Sequence, residues 1–133
     1  MSISFTKTVK VKNDISKITN ATIKDLQAAL YLEAELVMTT AKRDYVPVVT
    51  GNLRNSGTVS LPEVKGDTVQ VKIGFGGASA PYAAVVHEYP KGYGQGKNKY
   101  LSQPLNISAK NMTQRVAKHI RRSINARLGR ATP

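Results

Sequence analysis

The segment from Tyr45 to Ser56 has the sequence YVPVVTGNLRNS and divides the chain into a helical part and a β-rich part. Pro47 lacks a backbone N–H, and it disfavours helical backbone angles in the residue before it. A helix that arrives from upstream is therefore expected to end near Tyr45.

The second half of this segment has the composition of a turn. Thr50 and Gly51 predict a capped turn or a single helical turn, in which the Thr50 hydroxyl accepts an early backbone N–H. Leu53 is expected to point into the core and Arg54 to lie across a neighbouring surface. The segment is thus a predicted connection from a helix to a strand.

Two long helical patterns are present. Apolar residues at three- and four-residue steps predict a helix over about 19–45, and a second such stripe predicts a helix over 104–128 that has Pro104 in its first turn and Gly129 as its C-cap. Leu32, Leu36 and Met38 widen the apolar arc of the first helix, which fits either a contact with a second subunit or a wide core face. The first stripe comprises Ile23, Leu26, Leu30, Ala34, Val37 and Ala41, and the second comprises Leu105, Ala109, Met112, Val116, Ile120, Ile124 and Leu128.

The remaining regular patterns are of the β type. Alternation at Ile3, Phe5, Val9 and Val11 predicts that residues 1–14 hold a strand or an N-terminal arm, and residues 57–75 predict a hairpin. Pro62 marks an edge or a bulge in the first hairpin strand. In the second strand, alternate residues are expected to share one buried face, namely Val69, Val71, Ile73 and Phe75.

These patterns predict an α+β fold. Two long helices would pack on a small antiparallel sheet of about three to five strands, with a flexible basic loop at 91–100 before the last helix. At 133 residues the chain is expected to form a single domain, 1–133. It has no cysteine, no apolar run of membrane-spanning length and no signal-peptide pattern, so we expect a protein of a reducing cytoplasm without a membrane partner.

The positive charge is concentrated in the last third of the chain. The formal net charge is +12, and from Tyr89 to Pro133 there are ten Lys or Arg and no Asp or Glu. Such a region favours phosphate backbones or acidic protein surfaces, although a solvated helix face is the simpler alternative. The candidate partner or DNA contacts are Lys91, Tyr93, Lys97, Lys99, Lys110, Arg115, Lys118, Arg121 and Arg122.

The sequence offers little catalytic chemistry. His87 and Glu88 form an adjacent pair that fits an acid/base pair or half of a metal site, but a structural role is the favoured interpretation. The segment 82–88 is expected to form a short helix or strand with Val85 and Val86 inward. Gly76-Gly77 lacks the flanking pattern of a phosphate loop, and we predict no cofactor, no metal and no catalytic residue.

The order of the motifs resembles a tailed-bacteriophage family of neck or tail-completion proteins, also known as head-to-tail joining or minor capsid proteins. The resemblance covers about Thr22 to about Leu128, and the chain departs from it at Val49 and at Tyr89-Pro90. The positions that carry it are Pro47, Thr50, Gly51, Leu53, Arg54, Ser56, Tyr82, Ala83, Glu88 and Pro104.

The resemblance implies a structural, non-enzymatic virion protein. It would form a homo-oligomeric ring, expected to be a hexamer, in the neck between the head connector and the tail. Its expected partners are copies of itself, the connector, adaptor or stopper protein, the tail terminator, tube or sheath proteins, and the DNA in the channel. Its expected location is the host cytoplasm during assembly and then the virion.

The alternative is a nucleic-acid-binding module that acts as a monomer or dimer. It would use the basic last helix and the loop 91–100, where tyrosines among lysines suit stacking on bases. No zinc-finger spacing, RNP-type motif or clear helix-turn-helix accompanies this pattern.

Overall fold

The computed structural model describes residues 4–12, 20–47, 51–66, 68–89 and 99–131. They form strands β1 (Ser4–Lys12), β2 (Thr58–Val59), β3 (Glu63–Lys65) and β4 (Thr68–Gly76), and helices α1 (Asn20–Thr40), α2 (Asn52–Asn55), α3 (Ala83–Glu88) and α4 (Ser102–Ala131). Two long helices and a small antiparallel sheet confirm the predicted α+β class.

Strand β4 is the centre of the sheet. β1 pairs with one side of it over its whole length, from Ser4 opposite Gly76 to Lys12 opposite Thr68, while β2 and β3 share the other side. The predicted inward face of β4 is confirmed, since Val69, Val71 and Ile73 are completely buried. Pro62 lies in the gap between β2 and β3, because a residue without an N–H cannot continue the ladder.

Helix α1 covers the buried face of the sheet. Five of the six residues of its predicted stripe are buried in one cluster with the inward side chains of β4, while the first, Ile23, is half-buried. The five are Leu26, Leu30, Ala34, Val37 and Ala41. The last helical turn, Ala41–Tyr45, is a π-helix. Val46 then adopts extended angles (φ −65°, ψ 125°), as the following Pro47 requires.

Residues 51–56 contain a single helical turn, α2, which is one of the two structures predicted for this segment. Gly51 precedes α2 with a φ of 86°, a left-handed angle that glycine adopts without steric cost, and Leu53 is buried. The Ser56 hydroxyl donates to the Leu53 carbonyl (2.6 Å) and accepts from the Gly76 N–H (2.9 Å), which joins α2 to the end of β4. The predicted Thr50 cap lies outside the described residues.

Two details of the helical predictions are wrong. Val85 was expected to point inward, but it is 55% exposed because 82–88 is helical and places Ala83, Val86 and His87 on the buried side. Gly129 does not end α4, which continues to Ala131. The stripe of α4 is buried at Met112 and Val116, whereas two other members, Ala109 and Leu128, are exposed.

Within the described ranges, no helix combines the length and the apolar character that crossing a membrane requires.

Candidate functional site

The outer face of α4 carries the largest group of unpaired positive charges. Lys110, Lys118, Arg121 and Arg122 are exposed, and none forms an ion pair with another described residue. Helical geometry spreads them over about 18 Å of axis and about 120° of arc. The four side chains therefore form one elongated basic face, which we call the α4 basic face.

Arg115, which the sequence placed with these residues, is engaged inside the chain. Its guanidinium forms a bidentate contact with the carboxylate of Glu33 on α1, with nitrogen–oxygen distances of 2.9 to 3.1 Å, and it also donates to the Ser108 carbonyl (2.8 Å). Glu33 is buried, so the pair compensates a carboxylate that is removed from water. Arg115 fastens α4 to α1 and is not a free partner contact.

A second ion pair joins the N-terminal part of α1 to the C-terminal part of α4. Nη2 of Arg127 lies 2.6 Å from Oδ2 of Asp25. The hydrogen bond from Arg127 lowers the pKa of the Asp25 carboxyl against the opposing effect of desolvation, and the charge of His119 adds to the lowering. A cation near the C-terminus of a helix suits the helix dipole, and the fold gives Arg127 a specific partner as well.

His87 and Glu88 form a structural cluster at the start of α4. The backbone N–H of Ser102 donates to His87 Nε2 (3.3 Å), which places the imidazole proton on Nδ1, 3.2 Å from Glu88 Oε1. Lys99 closes the cluster through its side chain, 3.2 Å from Glu88, and through its backbone N–H, which donates to the His87 carbonyl. Lys99 is thus the cation with which Glu88 pairs in the fold.

This arrangement leaves His87 little chemistry to perform. The ring is buried and both of its nitrogens have partners within the fold. The pKa of Glu88 is lowered by hydrogen bonds from His87 and then Lys99, so it remains an acceptor that holds these two groups. Across the described ranges, no cluster of three or more His, Cys, Asp or Glu residues is arranged to hold a metal ion.

Tyr100 belongs to the core and not to a base-stacking surface. Its ring is fully buried and contacts Phe75 and His87 edge to face, with centroid distances of 5.0 and 4.9 Å. Its hydroxyl donates to the Ala83 carbonyl (2.7 Å), and burial raises the pKa of the phenol well above its usual range. The other predicted loop contacts Lys91, Tyr93 and Lys97 lie outside the described part of the chain.

Most positions that carry the family resemblance serve the core or its turns. Ala83 and Pro104 are buried, and Tyr82 is half-buried at the start of α3. Arg54 is exposed and lines an open cleft with Thr39, Lys42 and Arg43.

Two surfaces of the fold suit assembly. On α1, Leu32 and Leu36 are 50% and 59% exposed and continue a row that begins at the exposed Ala28. Met38, predicted to share this surface, is buried instead. On the sheet, the outer edge of β1 has no paired strand among the described residues.

The two interhelical ion pairs were not predicted from the sequence. A signal was present, because Glu33 and Arg115 each lie next to an apolar position of a helical stripe, where a charged side chain borders the core. Pairing them required knowledge of the antiparallel packing of α1 and α4. Comparison with known proteins supplies no further assignment, since no family model, curated protein or solved structure matches the chain.

Proposed function

We propose that this chain is a structural protein of the neck or tail-completion region of a tailed bacteriophage, where it forms a ring that joins the head connector to the tail. It acts by assembly and has no enzymatic activity. The identification is supported by the order of the motifs, which lie at successive joints of the fold: the exit from α1, the α2 turn, the hairpin, α3 and the first turn of α4.

The observation that carries the ring is the exposed apolar row on α1. Leu32 and Leu36 lie one helical turn apart and each leaves at least half of its surface in water. Burial of the exposed halves of these two side chains against a second copy would contribute about 1.5–3 kcal/mol to the contact. Helix α1 packs on the core through one side. The apolar row lies on another side of the helix, where it suits a subunit interface.

The open sheet supports the same proposal. Among the described residues, no strand pairs with the outer edge of the nine-residue β1, and β2 and β3 form a short, interrupted opposite edge. An exposed edge is a template for pairing with another chain, and closure of identical head-to-tail contacts into a ring removes such edges. Contacts of this heterologous kind generate cyclic assemblies.

The test is the mass in solution, measured by light scattering at low and high salt. We expect a discrete oligomer that the double variant L32E/L36E converts to monomer. The matched control V85E/L128E adds the same two negative charges at side chains that are 55% and 62% exposed elsewhere, and it should leave the oligomer intact. A wild-type monomer at every protein and salt concentration would overturn self-assembly.

The second candidate is a monomeric or dimeric nucleic-acid-binding module. It is favoured by the α4 basic face, whose charges have no ion-pair partner among the described residues. The same measurement with a short DNA duplex separates the two functions. A monomer or dimer that binds the duplex and releases it as salt rises would support the module, whereas a larger discrete oligomer formed without DNA supports the ring.

A further inference from the structure

The ion pairs divide the described positive charges of α4 into two classes. Arg115 and Arg127 are held by carboxylates of α1, so they stabilise the helix pair. Lys110, Lys118, Arg121 and Arg122 have no such partner in the described part of the chain, and no acidic residue follows Glu88 in the sequence. The repulsion within this second group must be offset by something outside the fold.

A second copy of the chain is a poor source of that compensation. Every described carboxylate already has a partner within its own chain: Asp25 with Arg127, Glu33 with Arg115, Glu35 with Tyr31, Asp44 with Arg43, Glu63 with Gln70 and Lys65, and Glu88 with His87 and Lys99. These contacts already use part of the acceptor capacity of each carboxylate, and a second copy would add its own formal charge of +12. The partner must therefore bring its own excess of negative charge.

The shape and chemistry of the face point to a duplex backbone. The four cations extend over about 18 Å, a length over which B-form DNA presents about ten phosphates. The exposed amides Asn111, Gln114 and Asn125 lie within the same arc and donate hydrogen bonds of the kind that phosphates accept. Helix α4 contains no Phe, Tyr or Trp, so it lacks the stacking platforms with which proteins hold single strands.

We infer that the α4 basic face binds the phosphate backbone of double-stranded DNA without reading its base sequence. This inference is independent of the proposed ring, since the face is complete within one chain. In a ring it would contact the duplex that passes through or enters the assembly.

The test compares two variants that each lose three positive charges. K118Q/R121Q/R122Q changes the α4 basic face, while K24Q/R54Q/K72Q removes three exposed cations from α1, α2 and β4. Binding to a labelled 20-base-pair duplex is measured by fluorescence anisotropy between 50 and 200 mM salt. Thermal unfolding checks that both variants fold.

Contact with four phosphates predicts that wild-type affinity falls about 150-fold over this range of salt. In the α4 variant, the slope of log affinity against log salt should decrease by about 2.7, whereas the control should keep the wild-type slope. Duplexes of unrelated sequence should bind equally.

Three results would overturn the inference. An equal loss of duplex affinity in both variants would show that net charge alone attracts the DNA. Strong preference for one duplex sequence would contradict backbone recognition. Tighter binding to poly-glutamate than to the duplex would assign the face to an acidic protein. Light scattering of the same α4 variant reports separately on the ring, because an intact oligomer with lost DNA binding leaves the proposed function standing.

Discussion

Tyr100 shows how a single residue departs from its sequence context. It follows a glycine- and lysine-rich stretch in which a tyrosine suits an exposed, nucleic-acid-facing role. In the fold its ring fills the space between Phe75 and His87. Its hydroxyl donates a hydrogen bond to the buried backbone carbonyl of Ala83. The residue therefore anchors the start of α4 to α3 and the sheet.

The substitution Tyr100→Phe keeps the ring and removes the hydroxyl. It should lower the free energy of unfolding by about 1–2 kcal/mol, because the Ala83 carbonyl loses a buried donor. Urea denaturation measures the change. Tyr89→Phe is the control, since Tyr89 is 74% exposed, and an equal effect of both substitutions would contradict the assigned role.

The helices α1 and α4 are joined by both apolar packing and charge. Met112 and Val116 of α4 are buried in the core. Two ion pairs also join the helices: Glu33–Arg115 near the middle of α4, and Asp25–Arg127 between the N-terminal part of α1 and the C-terminal part of α4. Because both ion pairs run between the helices, they fix the antiparallel order and the register of the two elements. Lys110, Lys118, Arg121 and Arg122 form no ion pair with another described residue and have no such role.

The difference between Arg115 and the other exposed cations of α4 can be tested by measuring the stability of the folded chain. Arg115→Gln should destabilise the fold by about 2 kcal/mol, because the buried Glu33 carboxylate loses its bidentate partner; the partial exposure of Arg115 keeps the cost below that of a fully buried pair. Arg122→Gln, which removes the same charge from the same helix, should leave the urea midpoint nearly unchanged. A similar loss of stability in the two variants would show that Arg115 has no special structural role.

The elements themselves were largely predictable. Alternation in β4 and the stripe in α1 identify their buried faces because strand and helix periodicity fix the direction of each side chain. The short helix α3 was harder to predict, since a segment of six residues fits both helix and strand periodicity. This ambiguity caused the wrong prediction for Val85.

At the scale of the molecule, the positive charge opposes folding. With a formal charge of +12 and every described carboxylate already partnered within the chain, the surplus cations repel one another in the compact state. Partners of opposite charge would relieve this repulsion, and dissolved salt should do so in part.

Raising NaCl from about 0.01 M to about 0.1 M shortens the Debye length from about 30 Å to about 10 Å. We therefore expect the free energy of unfolding to increase over this range, as followed by urea denaturation at each salt concentration. The increase should be smaller in K118Q/R121Q/R122Q, which lacks three of the repelling charges. A fall in stability with salt in the wild type would show that attractive ion pairs dominate instead.

The sequence by itself determined the α+β class, the two long helices, the hairpin with its inward residues and the end of α1 before Pro47. These features depend on interactions among residues close in the chain, so periodicity and the backbone limits of proline and glycine are enough to define them. Only the tertiary structure decided which charges are free. Arg115 and Lys118 have similar positions in the sequence pattern of α4, but the packing of α1 against one side of that helix gives the first a buried carboxylate and leaves the second in solvent.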